Sequence, residues 1–260
     1  MSGFLFEQIV FGPIKSRRLG ISLGLNLLPE NEKHCTFNCI YCECGWTLPE
    51  NERQLNYPPK DAIKNELEKK LKAISEKGSF IDAITFAGNG EPTIHTEFCQ
   101  IMTDTVELRD KYFRDAKIVV LSNGSMSNNK DIREALMMAD INMLKLDAGT
   151  NETFQKINNP IINITLQEII ENYKKFNGEF TVQTLFTKVN YKNNIIDNTK
   201  HEEVEAWIKH LKILKPKNVI IYPIAREAPL NEVEKIPPDV LEEIGKKVKE
   251  AGLNVEIYKT

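Results

Sequence analysis

From about residue 60 onward, two hydrophobic patterns alternate along the chain. Short runs rich in β-branched residues, at 82–86, 117–121, 142–146, 180–185 and 219–222, predict strands. An earlier run at 21–27 alternates in part, and 254–257 predicts a further strand at an edge. Between these runs apolar positions recur every three or four residues, the period of a helix with one buried face. Ile63, Leu67, Leu71 and Ile74 make one such stripe. Leu166, Ile169, Ile170, Tyr173 and Phe176 make a second, with Thr165 placed to cap it. Val204, Trp207, Ile208 and Leu211 make a third. Pro58-Pro59 and Pro237-Pro238 stand where the first and last helices should begin.

Strand–helix–strand alternation predicts βαβ units and a parallel sheet, hence an α/β fold. Six core strands, counting the one at 21–27, are too few for an eight-stranded closed barrel. An open doubly wound sheet and a partial barrel both fit. No internal repeat, low-complexity tract or linker interrupts residues 1–260, which read as one domain. The polar stretch 189–200 reads as the longest loop, placed to cover a site.

Charge narrows the partners. Lys plus Arg number 34 and Asp plus Glu 37, a net charge of −3. That excludes a generally basic nucleic-acid coat but not a local basic groove. No run of about 18 apolar residues is present to cross a membrane. The first residues lack the basic start and long apolar stretch of a signal peptide, which predicts a cytoplasmic protein with reduced thiols. In that compartment, Cys35, Cys39, Cys42 and Cys44, crowded within ten residues, point to a metal before a disulfide.

The core spacing is Cys-x3-Cys-x2-Cys. Three thiolates on one short loop can hold three irons of a 4Fe–4S cubane and leave the fourth open, much as catalytic zinc keeps an open position. Structural zinc with Cys44 as fourth ligand is the alternative on spacing alone. Directly after the strand at 82–86 comes Ala87-Gly88-Asn89-Gly90-Glu91-Pro92-Thr93. Glycines there let backbone approach a ligand closely, and Glu91 can accept hydrogen bonds from an ammonium group.

The two motifs together, with Tyr41 just before the third cysteine, resemble the radical S-adenosylmethionine (radical SAM) superfamily. Phe11-Gly12-Pro13, Ser16-Arg17-Arg18-Leu19-Gly20, Leu121-Ser122-Asn123-Gly124 and Leu144-Lys145-Leu146-Asp147 extend the resemblance to its bacterial Fe–S oxidoreductase group, labelled wyosine-synthetase-like. The resemblance implies a partial (β/α)6 TIM-like barrel with the site at the strands' carboxyl ends. It implies an enzyme with one 4Fe–4S cluster on Cys35, Cys39 and Cys42 that cleaves bound S-adenosylmethionine reductively and draws hydrogen from a substrate. An electron donor such as flavodoxin or ferredoxin would serve it. By the same resemblance, Tyr41 presents main-chain groups to the adenine, and Gly88, Asn89, Gly90 and Glu91 meet the methionine amino group. Ser122 and Asn123 then suit the carboxylate or ribose, Asp147 and Gln183 the ribose hydroxyls, and the backbone around Tyr222, Pro223 and Ile224 the adenine edge.

Arg17 and Arg18, in a loop ahead of the first strand, suit a phosphate or carboxylate on the substrate. The N-terminal segment is expected to fold back and bring them to the barrel mouth. Lys145 and Arg226 are further substrate candidates, each with an ion pair as the plainer reading. Cys44 reads as a free thiol, Cys99 as core, and His34 and His95 as packing or capping residues. The sequence carries no second cysteine cluster and no evident basic surface, which points away from tRNA and toward a small anionic substrate, nucleoside- or nucleotide-like. The alternatives are an RNA-modifying radical SAM enzyme acting on tRNA and a zinc-binding nucleic-acid module.

Overall fold

A computed structural model describes residues 3–191, 194–225 and 233–259. In chain order its strands are β1 (Val10–Ser16), β2 (Gly20–Leu25), β3 (Ala83–Phe86), β4 (Lys117–Ser122), β5 (Ile141–Lys145), β6 (Thr181–Tyr191), β7 (Asn194–Asp197), β8 (Asn218–Pro223), β9 (Val233–Lys235) and β10 (Val255–Ile257). Its helices are α1 (Lys60–Glu76), α2 (Phe98–Tyr112), α3 (Lys130–Met137), α4 (Asn151–Ile157), α5 (Leu166–Lys174), α6 (His201–Leu214) and α7 (Pro238–Glu250).

The main sheet runs β1-β2-β3-β4-β5-β6-β8-β10. β1 pairs antiparallel with β2, and every later neighbour on that path is parallel. Strands that follow in sequence lie side by side with a helix between. The order never reverses, so the doubly wound alternative and its switch point are excluded. What remains is a partial, unclosed barrel.

Amphipathic period explains the helices. All four apolar stripe residues of α1 are buried, as are Val204, Trp207, Ile208 and Leu211 on α6. Thr165 caps α5 in a reciprocal capping box with Glu168. Outward-facing strand residues such as Leu23, Ile84, Val120, Leu144, Val182 and Val219 pack under the helices in the main core. Inward-facing Ala83, Val119, Met143 and Ile220 form a separate small cluster. This cluster packs in the barrel interior, and polar side chains stand beside and beyond it: Ser22 in register with Ala83, Gln183 with Ile220. Ser22 and Thr85 share a 2.7 Å hydrogen bond there, and Lys145 sits beside Gln183 in register.

Two expectations change. The segment ahead of residue 20 is a strand, not a loop, and Arg17–Leu19 form its tight turn. The 189–200 stretch is not mainly a loop either: β6 continues past the barrel and pairs antiparallel with β7 and β9. Val189 and Ile196 lie opposite each other there, and both are buried as part of the main core.

Candidate active site

A cavity of about 520 Å³ runs from the cysteine loop at the strands' carboxyl ends down to Arg18 at their amino ends. A larger concavity, about 710 Å³, lies at the amino ends and contains none of the cysteines or the Gly-Asn-Gly-Glu turn. Only the turn residues Arg18 and Leu19 line both. The chemistry-bearing residues therefore belong to the smaller space.

The two motifs are tied together by their own backbones. His34 N–H donates to the Asn89 carbonyl at 2.8 Å, and Glu91 N–H donates to the His34 carbonyl at 2.9 Å. Gly90 makes this approach feasible: its φ is +142°, and a Cβ there would stand 1.7 Å from the His34 oxygen. The glycine thus permits a close approach to the cysteine loop, and Gly88 and Gly90 also line the cavity. Asn89 is occupied elsewhere. Its buried side chain bonds the Phe6 N–H, the Phe6 carbonyl and the Pro29 carbonyl and does not line the cavity. It straps the N-terminal segment across the mouth, where Phe6 stacks on Phe11 at 3.7 Å.

Cys35, Cys39, Cys42 and Cys44 are all free and all line the cavity. Nitrogen donors surround the first two. Phe37 N and Asn123 Nδ2 approach Cys35 Sγ at 3.4 and 3.5 Å, and Asn158 Nδ2 approaches Cys39 Sγ at 3.6 Å. Burial pushes the Cys35 thiol up to about 12 and raises Cys39, against the pull of nearby lysines. Cys42 is lowered by its hydrogen bond with Cys44, which outweighs burial, and Lys33 adds to the effect. Cys44 is raised in return, and its Sγ reaches the Gly88 carbonyl at 3.5 Å. Lys33, 3% exposed, donates to the Gly45 carbonyl at 3.0 Å. Burial opposes its charge, yet the Cys42, Cys35 and Cys39 sulfurs more than offset this and raise its pKa.

This donor set fits an iron–sulfur cluster: three thiols on one loop, N–H groups aimed at sulfur and a buried cation beside them. Among the described residues, no three His, Cys, Asp or Glu side chains converge closely enough to share one metal ion. A tetrahedral zinc with sulfur ligands at about 2.3 Å asks for tighter convergence than a cubane whose cysteines each serve a separate iron.

Glu91 is 2% exposed, and its carboxylate is already engaged. It accepts from Thr93 N–H at 3.2 Å, Thr93 Oγ1 at 2.6 Å, Ser122 Oγ at 2.8 Å and Asn123 N–H at 2.6 Å. Burial raises its pKa, and these donors offset only part of that. Ser122 and Asn123 line the cavity too, with Asn123 Nδ2 donating to Thr36 Oγ1 at 2.9 Å. Gly88, Gly90, Tyr41, Gln183, Tyr222, Pro223 and Ile224 all reach the same space.

Asp147 does not line the cavity. It does not cap α4, whose cap is Thr150. Its carboxylate accepts from the Tyr41 hydroxyl, from Asn158 Nδ2 at 2.8 Å and from Leu185 N–H at 2.9 Å. Lys145 Nζ lies 3.6 Å from it and 5.1 Å from the Tyr41 ring centre.

Arg17 and Arg18 are not at the mouth. Antiparallel pairing sends the β1–β2 turn to the amino ends of the strands, with Ser16 opposite Gly20, while Val10 sits opposite Leu25 near the mouth. Arg17 is exposed. Arg18 closes the seam of the barrel, its guanidinium carbon 4.7 Å from the Tyr222 ring centre and 5.9 Å from that of Tyr258. Arg226 lies outside the described residues. His34 and His95 are buried and hydrogen-bonded: His34 to Glu32 and Tyr57, His95 to the Pro58 carbonyl and the Glu97 N–H. Cys99 packs against the main core.

Lys33, Asn158 and the Phe6–Phe11 stack went unread in the sequence. A lysine two positions before the first cysteine was a usable signal. Asn158 gave none, because its partners Cys39 and Asp147 meet it only in the fold.

The model of the radical SAM superfamily matches residues 33–194. The chain therefore belongs to the radical SAM superfamily, whose members are enzymes, and membership implies S-adenosylmethionine and an iron–sulfur cluster. It is 33% identical over 252 residues to a protein of Brachyspira hyodysenteriae named GTPase Obg, a match covering 95% of this chain and 34% of that one. No Gly-x4-Gly-Lys-Ser/Thr phosphate loop occurs in these 260 residues. The chain spans 60%, 64% and 56% of the next three curated relatives. Among solved structures, a radical SAM methyltransferase from Sphaerobacter thermophilus matches with a TM-score of 0.68 at 13% identity, over 92% of this chain and 66% of that one. SuiB of Streptococcus suis bound to S-adenosylmethionine matches with a TM-score of 0.62 at 15% identity, over 91% and 50%. These likenesses are of fold. No helix among the described residues is long and apolar enough to cross a membrane.

Proposed function

We propose that this chain holds one 4Fe–4S cluster on Cys35, Cys39 and Cys42, binds S-adenosylmethionine in the cavity beside it, and acts on a small molecule held deeper in the barrel. The observation that carries this reading is the bridge between His34 and Gly90, which holds the three-cysteine loop and the Glu91 turn side by side on one cavity. When bound, the cluster supplies the electron that breaks the sulfur–C5′ bond of S-adenosylmethionine, and the resulting 5′-deoxyadenosyl radical takes a hydrogen atom from the substrate.

The chain's own residues do the rest. Asn123, Asn158 and the Phe37 amide steady the sulfurs, and Lys33 offsets their negative charge in a buried setting. Glu91 holds the Ser122–Asn123 turn in place and keeps an acceptor oxygen beside the mouth, where an ammonium group would lie. Phe6 and Phe11 cover the entrance and limit water, which protects a reactive radical. Met143, one of the small apolar cluster, lines the inner part of the cavity together with Arg18. Reductant would come from a flavodoxin- or ferredoxin-like donor. The test is anaerobic reconstitution, then iron and sulfide counting and chromatography for 5′-deoxyadenosine in the presence of dithionite. Stoichiometric zinc with no cleavage would overturn the reading.

A further inference from the structure

Hydrogen-bond accounting inside the cavity leaves three donors over. Lys145 Nζ donates to no described acceptor within hydrogen-bond range; its nearest carboxylate oxygen, on Asp147, is 3.6 Å away. Tyr41, Asn158 and Leu185 already donate to that Asp147 carboxylate. Gln183, 4% exposed, uses its Oε1 to accept from the Tyr222 hydroxyl at 3.5 Å, while its Nε2 has no acceptor among the described residues. Arg18 Nη1 is buried without a partner, and the guanidinium lies over the Tyr222 ring.

These groups converge on one place. Lys145 and Gln183 are register partners on β5 and β6, both facing inward. Tyr222 bonds Gln183 on one side and carries Arg18 on the other. All four line the cavity, and Gln183 stands in register with Ile220 of the small apolar cluster. The two carboxylates that line the cavity, Glu43 and Glu91, belong to the cysteine loop and the turn bridged to it, at the other end. Two half-buried cations and an unpaired amide donor facing one cavity cost stability unless an acceptor meets them, and an anion is their natural complement.

We propose that the inner half of the cavity is an anion site, in which Lys145 and Gln183, backed by Arg18 and Tyr222, bind a carboxylate or phosphate group of the second substrate. This rests on the reading of the cavity as the radical SAM site. It changes the role of Arg18 from a mouth residue to the far wall, with Arg17 lining the cavity beside it but exposed. A substrate anchored this way extends from the anion site toward the cysteine loop, so the atom that loses hydrogen is remote from its charged end.

The same anion chemistry could come from the carboxylate of S-adenosylmethionine, so the test has two arms. Calorimetry on the reconstituted, oxidised protein with inorganic phosphate as probe should show one saturable site per chain. Lys145→Met should weaken it at least about tenfold, and Lys145→Arg should retain part of it. Because Lys145→Met also strips Asp147 of its nearest cation, Gln183→Leu serves as a charge-neutral second variant, expected to weaken phosphate several-fold with the melting temperature preserved. No phosphate binding by the parent, or equal binding by all variants, overturns the proposal. In the second arm, phosphate binding should persist at saturating S-adenosylmethionine; displacement by it would overturn the assignment to a second substrate. Cleavage of S-adenosylmethionine by the parent is scored separately, so failure of the underlying reading is visible on its own.

Discussion

Glu91→Gln separates a structural from a ligand-binding role at the Gly-Asn-Gly-Glu turn. The parent carboxylate accepts four hydrogen bonds: three on Oε1, from Thr93 N–H, Thr93 Oγ1 and Ser122 Oγ, and one on Oε2, from Asn123 N–H at 2.6 Å. A glutamine can keep the first three only by aiming its NH2 at the Asn123 N–H, so two donors face each other in a buried place. Losing a hydrogen bond to a charged group costs about 1.5–3 kcal/mol. The three that remain weaken as the charge goes, and removal of a carboxylate whose burial raises its pKa gives some of this back. A net loss of about 2–3 kcal/mol is expected, or roughly 4–12 °C in melting temperature for a chain of this length. Circular-dichroism melts at neutral pH, without cluster or S-adenosylmethionine, read it directly. Thr93→Val should cost less, since it removes one bond of the four. A Glu91→Gln melt within about 1 °C of the parent, together with lost S-adenosylmethionine affinity, would refute the reasoning and make the carboxylate a ligand-facing group only.

Three further outcomes follow from the same geometry. Gly90→Ala should cost more than about 3 kcal/mol or abolish soluble protein, because its Cβ meets the His34 oxygen, whereas Gly78→Ala, with open space around it at φ +64°, should cost only about 1 kcal/mol; denaturant melts compare them. Lys33→Met should shift the reconstituted cluster to a more negative potential in an EPR-monitored titration, since a buried cation favours the state carrying the extra electron. Asp140 accepts from Ile118 N–H and from Arg109, each at 2.8 Å, and despite the opposing effect of burial its pKa falls below the ordinary 3.8. Its contribution is thus complete above about pH 5 and lost as pH falls through the depressed value, so Asp140→Asn should flatten the acid limb of a stability–pH curve and leave its neutral slope unchanged.

Local features were legible in the sequence, and the direction of the chain through space was not. The α1 stripe and the Thr165 cap are set within a few residues, so period and residue type suffice. β3, β4, β5 and β8 read as short apolar runs because helices or the barrel interior cover both faces. β1 was missed because Gly12-Pro13 interrupts it at a register shift, which resembles a turn in one dimension. That omission put Arg17 and Arg18 in a loop at the mouth and not in the β1–β2 turn at the strands' amino ends. The cysteine loop was readable for its compactness. The roles of Asn89 and Asp147 were not, since they depend on Phe6 and Tyr41, 83 and 106 residues away.

The most direct test of the central claim is the iron content and EPR spectrum of the reconstituted parent, Cys44→Ala and Cys35→Ala, with and without S-adenosylmethionine. The account predicts about four irons per chain in the parent and in Cys44→Ala, a reduced-state signal in both that changes when S-adenosylmethionine is added, and neither iron nor signal in Cys35→Ala. Loss of the cluster in Cys44→Ala, or a parent signal indifferent to S-adenosylmethionine, would contradict a three-cysteine cluster with an open iron.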